Sequence, residues 1–254
     1  GNGDFRSDEV KKLRDEADII ITNPPFSLFR EFLAWIVEAD KQFAIIGNMN
    51  AITYKKVFPL LKNNKMWLGN RFNRRVNGKN MIFGVPDNYP MTGTEVEIDK
   101  DGRKYIAVAG TGWFTNIEHG RRHQPLQLMT MAENIKYSKH KEVKGQEYKK
   151  YDNYNAIEVP FTDAIPSDYN GIMGVPISFL DKYNPEQFDI VDLGIVGSCE
   201  FTCNKRMEIL DKQGNPTGKY TYNAKGTLYT KFNPQRDKYP AFRDVETGGL
   251  YSSI

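Results

Sequence analysis

The sequence predicts an α/β fold, because its first part alternates strands and helices. Residues 17–22 form a short β-branched run that stops at Asn23, which is typical of a buried parallel strand ending in a loop. Apolar residues then recur at helical spacing over 28–39, and 43–47 form a second apolar strand. Strand, helix and strand in this order predict a right-handed α/β unit.

The neighbouring segments extend this pattern. Residues 8–16 predict another helix, so the chain enters in the middle of an α/β repeat, and a further amphipathic helix begins at Thr53. Ser27 is predicted to be the N-cap of the helix over 28–39, since a serine oxygen can accept from the free N–H groups of the first turn.

After about residue 66 the pattern changes to short strands of the kind found in antiparallel hairpins, separated by Gly, Asn, Asp and Pro. These predicted strands are 66–68, 81–83, 95–98, 105–108 and 127–129. The polar, lysine-rich segment 131–156 is interpreted as a linker or mobile loop, and the proline-rich segment 157–254 as an irregular domain with few regular elements. The predicted division is therefore 1–130, 131–156 and 157–254.

The composition is that of an ordinary globular protein with a packed core, since 39% of its 254 residues are hydrophobic. Cys199 and Cys203 are too few for a disulfide framework or a four-cysteine zinc site, so we expect no metal and a reducing, cytoplasmic location. No apolar run approaches the roughly 20 residues of a membrane span, so we expect no membrane partner.

The segment Asn23-Pro24-Pro25-Phe26 follows the first strand, at the edge where open α/β sheets bind ligands. Its chemistry suits the methylation of an exocyclic amine whose lone pair is delocalised into a ring. The Asn23 side-chain oxygen and the Pro24 carbonyl can accept the two amine hydrogens and so localise the lone pair, while Phe26 can stack on the base, a contact of ~1–3 kcal/mol. No general base is needed before attack, since the proton can leave afterwards. The alternative is a rigid turn without catalytic function.

Longer strings around this segment resemble the adenine-specific DNA methyltransferases of the EcoRI modification-methylase type. The matching strings are 3–7, 17–30, 45–53, 112–116 and 173–180. The resemblance implies the carboxyl-terminal part of a Rossmann-like class I methyltransferase sheet, followed by an irregular mixed α/β region that recognises the DNA target. It also implies transfer of a methyl group from S-adenosylmethionine to the exocyclic amine of a flipped adenine in double-stranded DNA, as in a restriction-modification system.

The resemblance also assigns roles to two pairs of residues. Asp4 would bind the adenine of the cofactor through its carboxylate and Phe5 would pack against it; the alternative is an Asx turn beside a buried phenylalanine. Trp113 and Phe114 would lie near the flipped base, whereas packing in the core is the more common use of such a pair.

Two arginine clusters are candidate contacts to the DNA phosphates, with a solvated basic surface as the alternative. They are Arg71, Arg74 and Arg75, and then Arg121 and Arg122. Both clusters are expected in loops on the side of the sheet where Asn23 emerges. Sequence choice is expected to depend on 157–254.

The chain lacks two features of this family. It has no Phe-x-Gly-x-Gly loop before Gly3-Asp4-Phe5, and it has no acidic residue after such a loop to hold the cofactor ribose. Residues 191–198 superficially resemble such a loop but lack a convincing helix after it. We therefore expect a fragment of a longer enzyme. The missing amino-terminal part of the same enzyme would be its partner, and the fragment alone would be inactive. The competing functions are methylation of RNA or of a protein glutamine by the same segment, and a non-catalytic DNA-binding module.

This departure gives a first prediction. The chain alone should bind S-adenosylmethionine weakly or not at all, because the methionine end of the cofactor needs a glycine turn to approach the backbone. Calorimetric titration measures this directly. Binding in the micromolar range would show that the cofactor site has been misplaced.

Overall fold

The computed structural model describes residues 3–71, 75–76, 79–80, 82–90, 96–107, 110–195, 197–200 and 205–253. They divide into two compact units, Gly1–His123 and Gln124–Ile254. The segment 131–156 therefore belongs to the second unit and does not separate two domains.

The described part of the first unit contains three α-helices and nine strands. They are α1 (Asp8–Glu16), β1 (Ile19–Thr22), α2 (Phe29–Glu38), β2 (Gln42–Asn48), α3 (Phe58–Lys62), β3 (Trp67–Arg71), β4 (Arg75–Val76), β5 (Lys79–Asn80), β6 (Ile82–Val85), β7 (Val96–Ile98), β8 (Lys104–Ala107) and β9 (Thr111–Thr115). Single 3-10 turns cover Phe26–Leu28, Met49–Thr53 and Gly120–His123. The predicted helices at 8–16 and 28–39 and the strand at 43–47 are confirmed, whereas β9 was not predicted as a strand.

The main sheet of this unit has the strand order β1-β2-β9-β3. β1 and β2 are parallel, with Thr22 opposite Ile45, as the predicted α/β unit requires. β9 lies between β2 and β3 and runs antiparallel to both. Strands β6, β8 and β7 form a separate antiparallel sheet in which the predicted strands 81–83, 95–98 and 105–108 are found, although residues 81, 95 and 108 lie outside the described residues.

Helix α2 packs on this sheet through a close contact between aromatic rings and a glycine. Phe29, Leu33 and Ile36 of α2 are buried, and the Phe29 ring lies 5.1 Å from the ring of Phe114 on β9. A Cβ atom at Gly47 of β2 would lie 2.4 Å from the Phe29 ring. The ring therefore occupies the place of a side chain at position 47.

Two predictions about this region were wrong. β1 was expected to be buried, but Ile19 and Ile21, which share one face of the strand, are exposed, because the described residues leave that face uncovered. Ser27 was expected to cap α2, but Ser27 lies inside the 3-10 turn and Leu28 takes the N-cap position without a side-chain hydrogen bond.

In its described residues the second unit contains two α-helices, α4 (Met131–Tyr137) and the short α5 (Asn223–Gly226), and seven strands. These are β10 (Ile157–Glu158), β11 (Met173–Gly174), β12 (Arg206–Leu210), β13 (Pro216–Tyr222), β14 (Tyr229–Lys231), β15 (Phe242–Asp244) and β16 (Leu250–Ser253). Five of them form an antiparallel sheet in the order β13-β12-β15-β16-β14, so this region is more regular than expected.

The expected linker is an ordered part of this unit. Helix α4 begins with a capping box in which Thr130 and Glu133 each bond the other's backbone N–H. Val143 is buried with Ile157 and Phe179 in one of the two cores of the unit. Residues 127–129, predicted as a strand, have no regular structure. In the described part of the chain no helix has the length and apolar character needed to cross a bilayer.

The contact at Gly47 gives a prediction about stability. Gly47→Ala should lower the free energy of unfolding by about 1–3 kcal/mol, because the new methyl group overlaps the Phe29 ring and overpacks the core. Denaturant unfolding measures the change. The matched control is Gly120→Ala, where a Cβ atom meets nothing within 4 Å; equal effects of the two substitutions would contradict the role given to Gly47.

Candidate active site

The segment after β1 is a short, well-defined connection. Thr22 is the last paired residue of β1, and Pro25 precedes the 3-10 turn, in which the Leu28 N–H donates to the Pro25 carbonyl at 2.9 Å. α2 follows directly at Phe29. Phe29 packs against Gly47 and Phe114 of the sheet, and Thr22 is paired with β2. The connection between them is therefore held at both of its ends.

Within this connection the two predicted acceptors belong to residues of different exposure. The Asn23 side chain is exposed, and the ring of Pro24 is buried. Among the described residues neither the Asn23 side chain nor the Pro24 carbonyl oxygen has a hydrogen-bond partner. Phe26 is 45% exposed although it is a large apolar side chain. The segment therefore presents two free acceptors and an uncovered ring.

The ends of the neighbouring strands lie at the same edge of the sheet. β2 is parallel to β1 and ends at Asn48, whose backbone is paired with Thr111 at the start of β9. The Asn48 side-chain oxygen accepts from the Asn50 N–H at 2.8 Å and so caps the following turn. Asn48 was missed in the sequence, although a polar residue directly after an apolar strand is the same signal that indicated Asn23.

The proposed cofactor residues have different environments. Asp4 accepts hydrogen bonds from the Arg6 backbone N–H, Nε and Nη2 at 2.8–2.9 Å, and these bonds lower the pKa of its carboxyl to about 2. Asp4 is therefore ionised at neutral pH. Phe5 is buried, with ring centroids 5.2 Å from Phe32 and 5.5 Å from Trp35. Phe5 thus packs in the core beside α2, as the alternative interpretation had it.

The two aromatic residues predicted to lie near the base, Trp113 and Phe114, also have different environments. Phe114 is fully buried against Phe29 and has no surface for a base. Trp113 is partly exposed and points to the other face of β9, where a Cβ atom on Gly69 would lie 2.8 Å from the Trp113 Cβ. Only Trp113 of the pair retains an accessible surface.

The second arginine cluster, Arg121 and Arg122, follows a strand end at the edge of the sheet opposite to Asn23. β9 runs antiparallel to β2, so its carboxyl end lies at the opposite edge, where Asn116 bonds the Phe43 N–H and the Lys41 carbonyl at the start of β2. The expectation that Arg121 and Arg122 lie in a loop at the Asn23 edge is corrected by this strand direction.

Arg122 is moreover a buried side chain. Its guanidinium lies 3.7 Å above the centre of the Trp67 ring and donates to Glu118 and, at 2.8 Å, to Asn64. Arg121 is exposed and donates to Asn70 at 2.8 Å. Arg122 is therefore a structural residue that holds its turn to the start of β3.

The first arginine cluster is only partly described. Arg71 is the last residue of β3, which places its backbone at the Asn23 edge, and Arg75 lies in β4. Arg74 lies outside the described residues. No group of three or more His, Cys, Asp or Glu side chains that could hold a metal ion occurs in the described ranges.

Comparison with known proteins agrees with the chemistry of this edge. A family model described as "Adenine-specific methyltransferase EcoRI" matches residues 1–246. The chain is 46% identical over 221 residues to the Type II methyltransferase M.EcoRI of Escherichia coli, covering 82% of this chain and 64% of that protein. It is 40% identical over 194 residues to M.MgeORF184P of Mycoplasma genitalium and 37% identical over 194 residues to M.MpnI of Mycoplasma pneumoniae.

These two matches cover 76% of this chain and 57% and 56% of the relatives. The chain therefore spans less than two thirds of the length of the relatives that it matches. No solved structure matches it.

The buried arginine gives a prediction. Arg122→Ala should lower the free energy of unfolding by about 1–3 kcal/mol, because the Trp67 ring loses its cation and Asn64 and Glu118 lose a hydrogen-bond donor. Arg121→Ala, one residue away, should change it by less than about 0.5 kcal/mol. Urea unfolding of both variants measures these changes in the free energy of unfolding. A larger loss of stability in the Arg121 variant would refute the structural role of Arg122.

Proposed function

The chain belongs to the family of EcoRI-type adenine-specific methyltransferases, and from this membership we propose that it supplies the amine-binding part of an S-adenosylmethionine-dependent DNA adenine methyltransferase. The observation that carries the proposal is the pair of free acceptors, Asn23 and the Pro24 carbonyl, at the carboxyl end of β1. The substrate is an adenine in duplex DNA, as in a restriction-modification system.

The mechanism follows from these acceptors. The exocyclic amine of adenine is planar because its lone pair is shared with the ring. When Asn23 and Pro24 each accept one amine hydrogen, they favour the tetrahedral nitrogen of the transition state and stabilise it more than the planar ground state. Phe26 stacks on the base and holds it in this orientation.

The target adenine has to leave the helix to reach these groups. Inside a duplex its amine is paired and stacked, so an enzyme that modifies it extrudes the nucleotide into a pocket. A partly exposed phenylalanine and two free acceptors at an open sheet edge suit an extruded base and do not suit a base within the stack.

The cofactor fits the described residues in part. S-adenosylmethionine supplies a methyl group on a positively charged sulfur, which needs no further activation by the protein. Asp4 is ionised and partly exposed, so it can accept from the amine of the cofactor adenine. Phe5 is turned into the core, and only 8% of its surface is exposed. Among the described residues Asp4 is thus the accessible candidate for a cofactor contact.

We further propose that the remaining cofactor contacts come with a strand that pairs with the free edge of β1. β1 is the edge strand of the main sheet, and its outer side pairs with no strand among the described residues, so its backbone N–H and C=O groups are open to another strand. The relatives carry more than a third of their length outside the matched part. The complete sheet would then be the open, Rossmann-like sheet of class I methyltransferases.

The remaining proposals concern partners and location. We assign target recognition to the second unit, 124–254, in place of 157–254, because the segment 131–156 packs into the core of that unit. Double-stranded DNA is the proposed partner, and the cytoplasm is the proposed location.

The test replaces an acceptor in the full-length gene product. Asn23→Ala should lower kcat about a hundredfold or more and leave DNA affinity nearly unchanged, because the lost hydrogen bond strengthens only in the transition state. The measurement is N6-methyladenine in digested duplex DNA after incubation with S-adenosylmethionine. Ser27→Ala is the matched control, an exposed residue of the same connection.

Normal turnover of the Asn23 variant would refute the catalytic assignment. If the unsubstituted protein methylated RNA or a protein glutamine and left duplex DNA unmodified, the proposed substrate would be wrong.

A further inference from the structure

The hairpin formed by β12 and β13, residues 206–222, has one strand inside the sheet and one at its edge; we call it the β12–β13 ribbon. β12 is an inner strand, and its Met207 is fully buried with Tyr229 and Phe242 in a core of the second unit. β13 is the edge strand, and each of its residues except Thr221 is exposed. The ribbon therefore holds its shape through β12 while it presents β13 to solvent.

One face of the ribbon carries aromatic and charged side chains. Arg206 is paired with Tyr222 and Glu208 with Tyr220, so the four residues lie on the same face. The guanidinium of Arg206 lies 4.7 Å above the centre of the Tyr220 ring. Tyr220 and Tyr222 are 51% and 62% exposed.

The charged groups of this face are not equally available. Glu208 is buried and bonded by Arg243 of the neighbouring strand β15. Arg206 has no ion pair with any described residue. A stacked and unpaired guanidinium keeps its five N–H donors free in a fixed orientation, which suits bidentate recognition.

A depression of about 400 Å³ lies beside Arg206 and Tyr222. Its other lining residues are Lys205, Asp244 and Glu246. Lys205 Nζ donates hydrogen bonds to Asp152 Oδ2 at 2.5 Å and to the Tyr251 hydroxyl oxygen at 2.7 Å.

Asp244 accepts from the Glu246 N–H of its own turn at 2.9 Å. Among the described groups in this depression Arg206 is the free donor and Glu246 the exposed acid.

The composition of the ribbon distinguishes between partners. It contains three basic and two acidic residues, and Pro216–Tyr222 contains no aliphatic side chain larger than a threonine or proline. The core of a stable protein interface is largely apolar, whereas a DNA-contacting surface is polar and positively charged. The polarity of the ribbon and its small net positive charge therefore favour DNA.

We propose that the β12–β13 ribbon enters the major groove and reads base edges, with Arg206 recognising a guanine and Tyr222 contacting the adjacent nucleotide. The major groove of B-DNA admits a two-stranded ribbon, and arginine bonded to O6 and N7 of guanine is the commonest specific contact there. The inference rests on the proposed function, because it names the element that chooses the DNA site for the same methyl transfer.

The experiment selects sites from a random-sequence duplex DNA library with the full-length gene product and compares variants. Arg206→Lys keeps the charge but loses the bidentate fork, so preference at one base pair should fall about tenfold or more. Affinity for unrelated duplex and its salt dependence should stay within about twofold, since no phosphate contact is lost. Tyr222→Ala should weaken preference at an adjacent position.

Arg243→Lys is the matched control, the same substitution on the same sheet at a side chain held by Glu208, and it should select the parent motif. Thermal unfolding should be unchanged in the Arg206 and Tyr222 variants, since both side chains are on the surface.

If the Arg206 and Tyr222 variants selected the parent motif, the ribbon would not be the reading element. Uniform loss of affinity for all sequences would make Arg206 a phosphate contact and would equally overturn the inference. A parent protein that selected no motif and methylated no duplex would defeat the proposed function itself, and this inference with it.

Discussion

The packing of the Phe29 ring on the backbone of β2 at Gly47 determines where the candidate active site lies. The ring fills the space above this glycine and touches Phe114 of β9, so the first turn of α2 has one position on the sheet. A single 3-10 turn joins α2 to the acceptors at Asn23 and Pro24. The position of the proposed catalytic segment therefore depends on Gly47, because a side chain at this position would displace the Phe29 ring.

The direction of β9 is the second constraint. Because β9 runs antiparallel between β2 and β3, the loops before and after it lie at opposite edges of the sheet. The end of β3 at Arg71 comes to the edge that carries Asn23, whereas the turn holding Arg122 is carried away from it and packs on Trp67. Arginines that are alike in sequence thus differ in position, since Arg71 ends at the edge that carries Asn23 and Arg122 stabilises a turn at the opposite edge.

The two units divide the proposed reaction between them. The first carries the proposed amine acceptors and the proposed cofactor carboxylate, at a sheet whose edge strand β1 has no further partner strand among the described residues. The second has cores of its own and an exposed ribbon whose Arg206 has no ion pair with a described residue. Acceptors that act in the transition state need a rigid support, which the aromatic packing at Phe29 gives. A surface that reads bases needs free donors on a stiff strand pair, which β12 and β13 give.

The sequence alone determined the order of strand and helix around Asn23, because β-branched runs and the helical spacing of apolar residues are local signals. It also indicated the amine chemistry, because the Asn23 oxygen and the Pro24 carbonyl are neighbouring acceptors in a segment whose backbone the two prolines restrict. It did not predict β9 as a strand, the exposure of β1, or the fate of Phe5 and Arg122. Those depend on which strands are neighbours and on which side of a strand each residue faces. Strand pairing and burial join residues far apart in the chain, so only the tertiary structure could decide that Phe5 and Phe114 pack in the core and that Arg122 supports a turn.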